Sequence, residues 1–343
     1  RLIDRGRTGR DASWEGAGIV RPPPVGQDIP AWEKLHAMSY ALHGQWSRRL
    51  REETGIDNGL RICGGVHVAR RAGEAAALQA DVAKWREDGI DVRPLNQDEL
   101  AALEPELRPS DGTGKIRLAY HLPDEAQIRN PRHLQALAQA CRRRGVEIVE
   151  GLAVDDFACV GDRVVAAIAN REKITARQFC LAAGAWSEAL LAGWGAETSV
   201  YPVRGQMVLY RCSQSPLRQI VNEGPRYMVP RDDGRVLVGS TEEDVGFDKR
   251  TTEDGIGELR RFAESLVPAL ANAPIEETWA GLRPHAVDGF PYIGRVPHLQ
   301  NAFVAAGHYR SGLTTSTGTA LLMRQLICEE DLSLDVGQFA LAR

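Results

Sequence analysis

The sequence lacks the short motifs that identify most metalloenzymes, hydrolases and nucleoside triphosphatases. It has no H-E-x-x-H, no G-x-S-x-G, no G-x-x-x-x-G-K-[ST] and no Cys/His spacing suited to a metal ion, and its 8 histidines stand apart from one another. The 6 cysteines include no C-x-x-C pair, which favours free, mostly buried thiols in a reducing compartment. We therefore expect a cytoplasmic protein without a metal site.

Long apolar runs and a strong net charge are also missing. The longest apolar run, FCLAAGAW from Phe179 to Trp186, is far shorter than the ~20 residues that span a bilayer. The formal net charge is -4 and the isoelectric point is near 6.1, so there is no electrostatic reason to expect binding to nucleic acid or to an anionic membrane. We expect no membrane span, and a small molecule as the binding partner.

Apolar spacing and capping residues predict several helices. The stretch from Ala31 to Gly55 repeats apolar residues every three, four or seven positions and ends on glycine, as an amphipathic helix does. A second helix is predicted over 74–88. Asn130 is predicted to cap a helix that has Pro131 in its first position, and a strand is predicted to follow that helix. Helices and strands thus alternate in this part of the chain.

Short strands dominate the region from about residue 200 to 280. A hairpin turn is predicted at Asp233–Gly234, and a single helix, Glu253 to Leu266, is set among these strands. No Pro/Gly/Ser-rich linker separates this region from the rest of the chain. The pattern therefore predicts an α/β nucleotide-type domain interleaved with a β-rich domain.

The first residues of the chain have the features of a strand in a dinucleotide-binding fold. Leu2, Ile3 and Asp4 are followed by a loop rich in Gly and Arg, and in the second strand of such folds a terminal carboxylate binds the ribose hydroxyls. An ordinary strand-end Asp has the same local sequence. The G-x-G-x-x-G motif belongs roughly 20 residues before that acid, so we expect the first βα unit of the fold to be missing from this chain.

Glycine is abundant, at 34 residues, and two glycine-rich loops each carry an arginine. Arg283 lies in GLRPHAVDGFPYIG, and Arg310 lies in AAGHYRSGLTTSTGTA just before a predicted helix. Arginine can bind a carboxylate through two parallel hydrogen bonds, and Tyr227 in RYMVPR offers a further donor. Both arginines are equally compatible with a structural ion pair, and the residues alone leave this open.

Together these stretches resemble the FAD-dependent D-amino-acid oxidase superfamily, and most closely its glycine oxidase (ThiO-type) branch. The stretches LIDRGRTGRDASWEGAGIV, CLAAGAWS, PVRGQMV, YMVPRDDGRVLVGSTEEDVGFDK, WAGLRPHAVDGFPYIG and AAGHYRSGL occur in the family's order. The resemblance implies an α/β fold in which a Rossmann-like FAD-binding domain, lacking its first βα unit, is interleaved with an antiparallel-sheet α+β substrate domain. The implied segments are 1–62, 125–198 and 283–343 for FAD, and 63–124 and 199–282 for substrate.

The resemblance also implies which residues hold FAD. Asp4 and Arg5 would lie at the ribose, Val154 would touch the adenine through its backbone, and a C-terminal loop would follow the flavin. The implied FAD-binding residues are Asp4, Arg5, Ala12, Ser13, Ala17, Gly18, Ile19, Val154, His308, Tyr309, Arg310, Ser311, Gly312, Leu313 and Thr314.

For the substrate, the resemblance implies that Arg283 pairs with a carboxylate, assisted by the Tyr227 hydroxyl, while Arg310 completes the pocket. Two residues depart from the family pattern. His285 follows GLRP where members often have glycine, and Glu242 stands where some members have an apolar residue facing the substrate. Glu242 would line the pocket and attract the substrate amine, or else point to solvent.

The implied reaction is the oxidative deamination of glycine or a similar small amino acid. A hydride would pass from Cα to FAD N5, the imine would hydrolyse to glyoxylate and ammonia, and O2 would reoxidise the flavin to give H2O2. Such a reaction would feed the thiazole of thiamine. The alternatives are a D-amino-acid dehydrogenase that passes electrons to a quinone, a sarcosine oxidase-like enzyme, or a truncated fragment unable to hold FAD. The oligomeric state is left open, a homo-oligomer included.

Overall fold

The computed structural model describes residues 1–26, 29–108 and 115–343. Residues 27–28 and 109–114, which fall within the predicted segments 1–62 and 63–124, lie outside the described residues. The helices of the described part are α1 (Ala12–Glu15), α2 (Ala31–Thr54), α3 (Ala72–Glu87), α4 (Gln97–Leu103), α5 (Asn130–Arg143), α6 (Ser187–Leu191), α7 (Glu253–Leu266) and α8 (Ser316–Cys328).

The strands are short, apart from two long ones in the second half of the chain. They are β1 (Leu2–Asp4), β2 (Ile19–Val20), β3 (Arg61–Ile62), β4 (Gly65–Ala69), β5 (Arg93–Pro94), β6 (Leu118–Leu122), β7 (Ala126–Gln127), β8 (Ile148–Glu150), β9 (Asp156–Val160), β10 (Arg163–Ala169), β11 (Glu172–Ile174), β12 (Phe179–Leu181), β13 (Val200–Arg211), β14 (Ile220–Glu223), β15 (Arg226–Pro230), β16 (Arg235–Gly239), β17 (Ile275–Ala286), β18 (Tyr292–Arg295) and β19 (Ala302–Ala306).

Eight strands form one large sheet in the order β17-β13-β16-β15-β14-β4-β6-β5. All its pairings are antiparallel except that of β14 with β4. The apolar face of α7 packs on this sheet, where Leu259 and Phe262 join Val208 and Met228 in a buried core. Burial of these side chains provides the main stabilising term for this half of the molecule.

The other half has the parallel pairings expected of a nucleotide-binding fold. Strand β1 pairs in parallel with β8, and β12 pairs in parallel with β19, which continues antiparallel to β18. Helix α8 packs against β18, β19 and α2, with Phe303 and Leu322 fully buried between them. The expected combination of an α/β nucleotide-type fold and a mainly antiparallel substrate sheet is confirmed. The boundaries between the two domains stay a prediction.

Most predicted helices are found within a few residues of their expected ends, but the cap at Asn130 is wrong. The structure places Asn130 inside the first turn of α5, where its side chain makes no capping bond. Its Nδ2 instead donates to the Ser13 carbonyl at 2.7 Å. A longer-range contact has therefore replaced the local cap.

The cysteines are less buried than the sequence predicts. All six cysteines are free, but Cys159, Cys180 and Cys328 are exposed, so the prediction of mostly buried thiols is wrong. Cys159 and Cys180 lie on β9 and β12, which are edge strands of three-stranded sheets, and Cys328 is the last residue of α8. Among the described residues, no helix combines the length and apolar character needed to cross a bilayer.

A buried ion pair lies in the middle of the large sheet, where β4 and β14 end. Arg70 Nε and Nη2 donate to the two carboxylate oxygens of Glu223 at 2.7 and 2.9 Å, and the Glu223 side chain is 1% exposed. Arg235 makes the same two-pronged contact with Glu276 at 2.9 and 2.7 Å, but the Glu276 side chain is 28% exposed. The two pairs differ mainly in burial.

We predict that Glu223→Ala lowers the free energy of unfolding by about 3 kcal/mol, because it removes two charge-assisted hydrogen bonds from the interior. The matched variant Glu276→Ala should cost about 1 kcal/mol or less, since that pair is hydrated and screened. Urea unfolding monitored by circular dichroism measures both values. Equal losses for the two variants would contradict the assigned role of burial.

Candidate active site

A cavity of about 810 Å³ lies between the large sheet and the nucleotide-type half. Its wall is built from α1 and the residues after it, from the loop that precedes α8, and from the facing side of β13 and β17. Pockets of this size hold drug-sized ligands or cofactors. The lining includes Ala12, Ser13, Glu15, Ala17, Gly18, Ile19, Gly205, Met207, Tyr227, Gly281, Arg283 and 308–314.

The segment after α1 is held in place by a glycine and a buried arginine. Gly18 has φ +79°, and a Cβ at this position would overlap the Ile128 carbonyl oxygen. Arg231, 7% exposed, donates to the carbonyl oxygens of Ala17 at 2.7 Å and Ile128 at 3.2 Å. Burial lowers the pKa of Arg231 to about 10, so it remains charged at neutral pH. The backbone of this segment is therefore fixed against Ile128, the residue that follows β7.

The loop from 308 to 314 forms the opposite wall. Thr314 Oγ1 donates to the Ile19 carbonyl at 3.3 Å, which joins this loop to the segment after α1. His308 Nε2 lies 3.0 Å from Thr319 Oγ1, and burial lowers the pKa of His308 to about 4, so the ring is neutral near pH 7. His43 Nε2 lies 3.1 Å from the Thr314 carbonyl and donates to it. Two of the predicted FAD-binding segments thus meet at one cavity.

Arg283 projects from β17 into the cavity without a carboxylate partner. Its Nη2 donates to Ser240 Oγ at 2.7 Å and its Nη1 to the Thr241 carbonyl at 3.3 Å. No acidic side chain of the described residues lies within 4.0 Å of it. The structural ion pair that the sequence left open is therefore absent at Arg283 in the described part of the chain.

Arg310 differs from Arg283 in this respect. It lies 3.5 Å from Glu242 Oε2 and donates to the Pro225 carbonyl at 2.9 Å. The Glu242 side chain is 52% exposed and is not part of the cavity lining. Glu242 therefore neutralises Arg310 at the rim. His285 packs against Tyr309, with 4.3 Å between the two ring centroids.

Three predicted FAD residues lie outside the cavity lining. Asp4 Oδ1 accepts a hydrogen bond from the Gly6 amide at 2.9 Å, and the Arg5 guanidinium stacks on Trp186 at 3.5 Å from the ring centroid. Val154 follows β8, and the Leu152 amide donates to the Asp4 carbonyl at 3.0 Å. The predicted ribose and adenine positions are thus neighbours at the ends of β1 and β8, away from the lined cavity.

Four buried polar atoms on the cavity wall have no hydrogen-bond partner among the described residues. They are Glu15 Oε2, Glu125 Oε1, Asn130 Oδ1 and Tyr309 Oη. Burial, together with the nearby Glu242, raises the pKa of Tyr309 to about 12, so the hydroxyl remains protonated. Buried polar atoms are normally satisfied, and these four offer one donor and three acceptors to a polar ligand. With the glycine cradle at Gly18, they fit a dinucleotide such as FAD.

Sequence reasoning missed an ion pair on the cavity wall. Glu15 Oε1 lies 2.7 Å from Lys249 Nζ, which also lies 2.7 Å from Asp11 Oδ1. Burial raises the pKa of Glu15 to about 6 although Lys249 opposes the shift. The available signal was a single acid in the otherwise small and apolar stretch ASWEGAGIV.

A second missed group lies at the far end of the cavity. His67 Nε2 is 3.3 Å from Glu125 Oε2, and Asn222 Nδ2 donates to the same oxygen at 3.1 Å. These residues come from three separate strands or loops, so no local motif announces them. The part of the chain that the structure describes contains no group of three or more His, Cys, Asp or Glu side chains arranged to hold a metal ion.

Comparison with known proteins places this cavity in context. The family model described as "DAO: FAD dependent oxidoreductase" matches residues 1–326. The chain is 36% identical to the glycine oxidase of Pseudomonas aeruginosa over 343 residues, which are 99% of this chain and 91% of that protein. It is 31% identical to the bifunctional protein ThiO/ThiG of Nostoc sp., over 93% of this chain and 47% of that protein.

A solved structure shows the same fold. The crystal structure of glycine oxidase from Geobacillus kaustophilus superposes with a TM-score of 0.92 at 32% sequence identity. The match covers 99% of this chain and 91% of the Geobacillus chain. The fold described above is thus that of a flavin-dependent amino-acid oxidase over its whole described length.

We predict that Gly18→Ala destabilises the protein strongly, because the added Cβ collides with backbone at a left-handed φ. Gly55 also has positive φ, +76°, but a Cβ there meets nothing within 4 Å. Gly55→Ala should therefore cost only about 1 kcal/mol, and Gly18→Ala at least twice as much. Thermal unfolding of both variants checks this, and similar midpoints would refute the close approach at Gly18.

Proposed function

The chain belongs to the family of FAD-dependent oxidoreductases, and from this premise we propose that it oxidises glycine, or a similarly small amino acid, by oxidative deamination. The chain aligns over nearly its whole length with glycine oxidases. Bound FAD would supply the hydride acceptor for the amino-acid Cα, with O2 as the final electron acceptor and H2O2 as its product. The imine product hydrolyses to glyoxylate and ammonia.

One observation carries the choice of a carboxylate-bearing substrate. Arg283 presents a guanidinium to the cavity, and none of the residues that the structure describes places an acid against it. An uncompensated charge at a partly buried site is costly, and a substrate carboxylate would supply the missing partner through two hydrogen bonds. Ser240 and Thr241 hold the guanidinium in orientation, so the carboxylate would arrive at a fixed place.

The neighbouring residues would position the rest of the substrate. The Tyr227 hydroxyl lies on the same cavity wall, 3.6 Å from Met207 Sδ, and it offers a further donor to the carboxylate. Gly205, Gly281 and Met207 line the same cavity. Fixing Cα in this way lowers the entropic part of the barrier, so orientation supplies much of the catalysis.

The FAD-binding residues inferred from the sequence are proposed to act at three places. The flavin and the pyrophosphate would be held by the loop 308–314 and by Ala12, Ser13, Ala17, Gly18 and Ile19. Asp4, Arg5 and Val154 would hold the adenosine at the ends of β1 and β8. This proposal is supported by the cavity between the first two segments and by the unpartnered polar atoms on its wall.

We further propose that the product of glycine oxidation is used in thiamine thiazole synthesis in the cytoplasm. The proposal is supported by the relative from Nostoc sp., in which the matching region is part of a ThiO/ThiG protein. The imine formed from glycine is a reactive species, so a consuming reaction close by would limit its hydrolysis.

We predict that Arg283→Ala lowers kcat/KM for glycine roughly 100-fold, the loss expected for a charge-assisted pair of hydrogen bonds. Arg283→Lys should recover part of it, because lysine keeps the charge but not the paired geometry. The control Arg235→Ala removes an arginine that is bound to Glu276 and lies outside the cavity lining, and its kinetics should match the unaltered enzyme. Unchanged kinetics in Arg283→Ala would exclude the proposed carboxylate site.

A further inference from the structure

Two glycines lie directly opposite each other on the cavity side of the large sheet. Gly205 of β13 and Gly281 of β17 are cross-strand partners. A Cβ on Gly205 would overlap the Arg283 guanidinium, and a Cβ on Gly281 would overlap the Glu15 carboxylate. Directly opposite positions on a sheet are about 5 Å apart and share a face. The cation of Arg283 and the anion of Glu15 thus rest side by side on a floor of two glycines.

These two charges do not neutralise each other. Glu15 Oε1 is bound by Lys249 at 2.7 Å, whereas Arg283 is held by Ser240 and Thr241. The second carboxylate oxygen, Glu15 Oε2, is buried and has no hydrogen-bond partner in the described part of the chain. The Glu15 side chain is 9% exposed and forms part of the cavity wall. The buried Glu15 acceptor and the cationic Arg283 donor are therefore both available, side by side, to a ligand in the cavity.

This arrangement matches the two ends of an α-amino acid. A single carbon atom separates the carboxylate of an α-amino acid from its ammonium. The protein group that binds the carboxylate must therefore lie close to the protein group that binds the ammonium. Lys249 keeps Glu15 ionised near neutral pH by opposing the effect of burial. A charged acceptor in such a site forms a strong hydrogen bond with an ammonium donor.

Resting on the function proposed above, we propose that Glu15 recognises the substrate amine, with Oε2 accepting a hydrogen bond from the ammonium while Arg283 binds the carboxylate. Glu15 thereby makes the site selective for amino acids over acids that lack the amine. The Gly205–Gly281 pair provides the space for both side chains. Glu242, the acid considered from sequence, is occupied by Arg310 at the rim.

The test compares glycine with acetate, which has the carboxylate but no amine. In Glu15→Gln, which keeps the shape but removes the charge, we expect the KM for glycine to rise about tenfold. The Ki of acetate as a competitive inhibitor should stay within about twofold, since Arg283 is untouched. FAD content and the thermal midpoint show whether Glu15→Gln is folded. If it is not folded, Glu15→Asp, which keeps the charge, takes its place in the comparison.

Asp11→Asn is the matched control. It removes the other carboxylate on Lys249, but Asp11 is 46% exposed and is not part of the cavity lining. We expect it to leave both constants unchanged. The same rise in glycine KM in Asp11→Asn would mean that the effect passes through Lys249, and would overturn direct recognition by Glu15.

The remaining outcomes separate this inference from the function it rests on. Parallel changes in glycine KM and acetate Ki in Glu15→Gln, or no change in either, overturn the role of Glu15 alone. An unaltered enzyme that does not oxidise glycine, or an Arg283→Ala variant still inhibited normally by acetate, overturns the proposed function and this inference with it. A glycine-specific rise confined to Glu15→Gln supports both.

Discussion

The site depends on one electrostatic constraint, the charge of Arg283, which the fold leaves without an acidic partner among the described residues. Hydrogen bonds from its guanidinium to Ser240 and Thr241 fix its direction but do not cancel its charge. Such a group is stable only if its remaining donors meet a ligand or water. The cavity beside it therefore favours anions, and the structural reason is the choice of hydroxyl and carbonyl partners in place of a carboxylate.

The pairing of β13 with β17 positions Arg283 relative to the two halves of the molecule that form the cavity. These strands pair from Val200 and Ala286 to Tyr210 and Ile275, so they extend from the substrate sheet into the nucleotide-type half. At that end, His285 bridges to His308 of the opposite loop. On the cavity face, the cross-strand glycines leave room for charged side chains where a Cβ would collide with them. This pair of long antiparallel strands thus supports both the substrate-binding groups and the loop 308–314 on the opposite wall.

Much of this was accessible from sequence because the informative residues are local. The glycine-rich loops with Arg283 and Arg310, the helix ends and the alternation of elements are all short-range patterns, and they led to the fold and the family. The Asn130 cap failed because a tertiary bond to Ser13 replaced the local one. Glu15 and Lys249 are 234 positions apart, in two separate stretches of the sequence, so only the folded chain could reveal their contact. Likewise, Arg310 lies 3.5 Å from Glu242 whereas Arg283 has no acidic partner among the described residues, a difference that sequence spacing alone does not encode.

The central claim is that a small amino acid is oxidised in this cavity and that its electrons pass to oxygen. The most direct measurement is the product balance of the purified FAD-containing protein incubated with glycine in air. Oxidation by the proposed route gives glyoxylate, ammonia and H2O2 in equal amounts. Glyoxylate formed without peroxide and only when a quinone is added, or no glyoxylate at all, would contradict it.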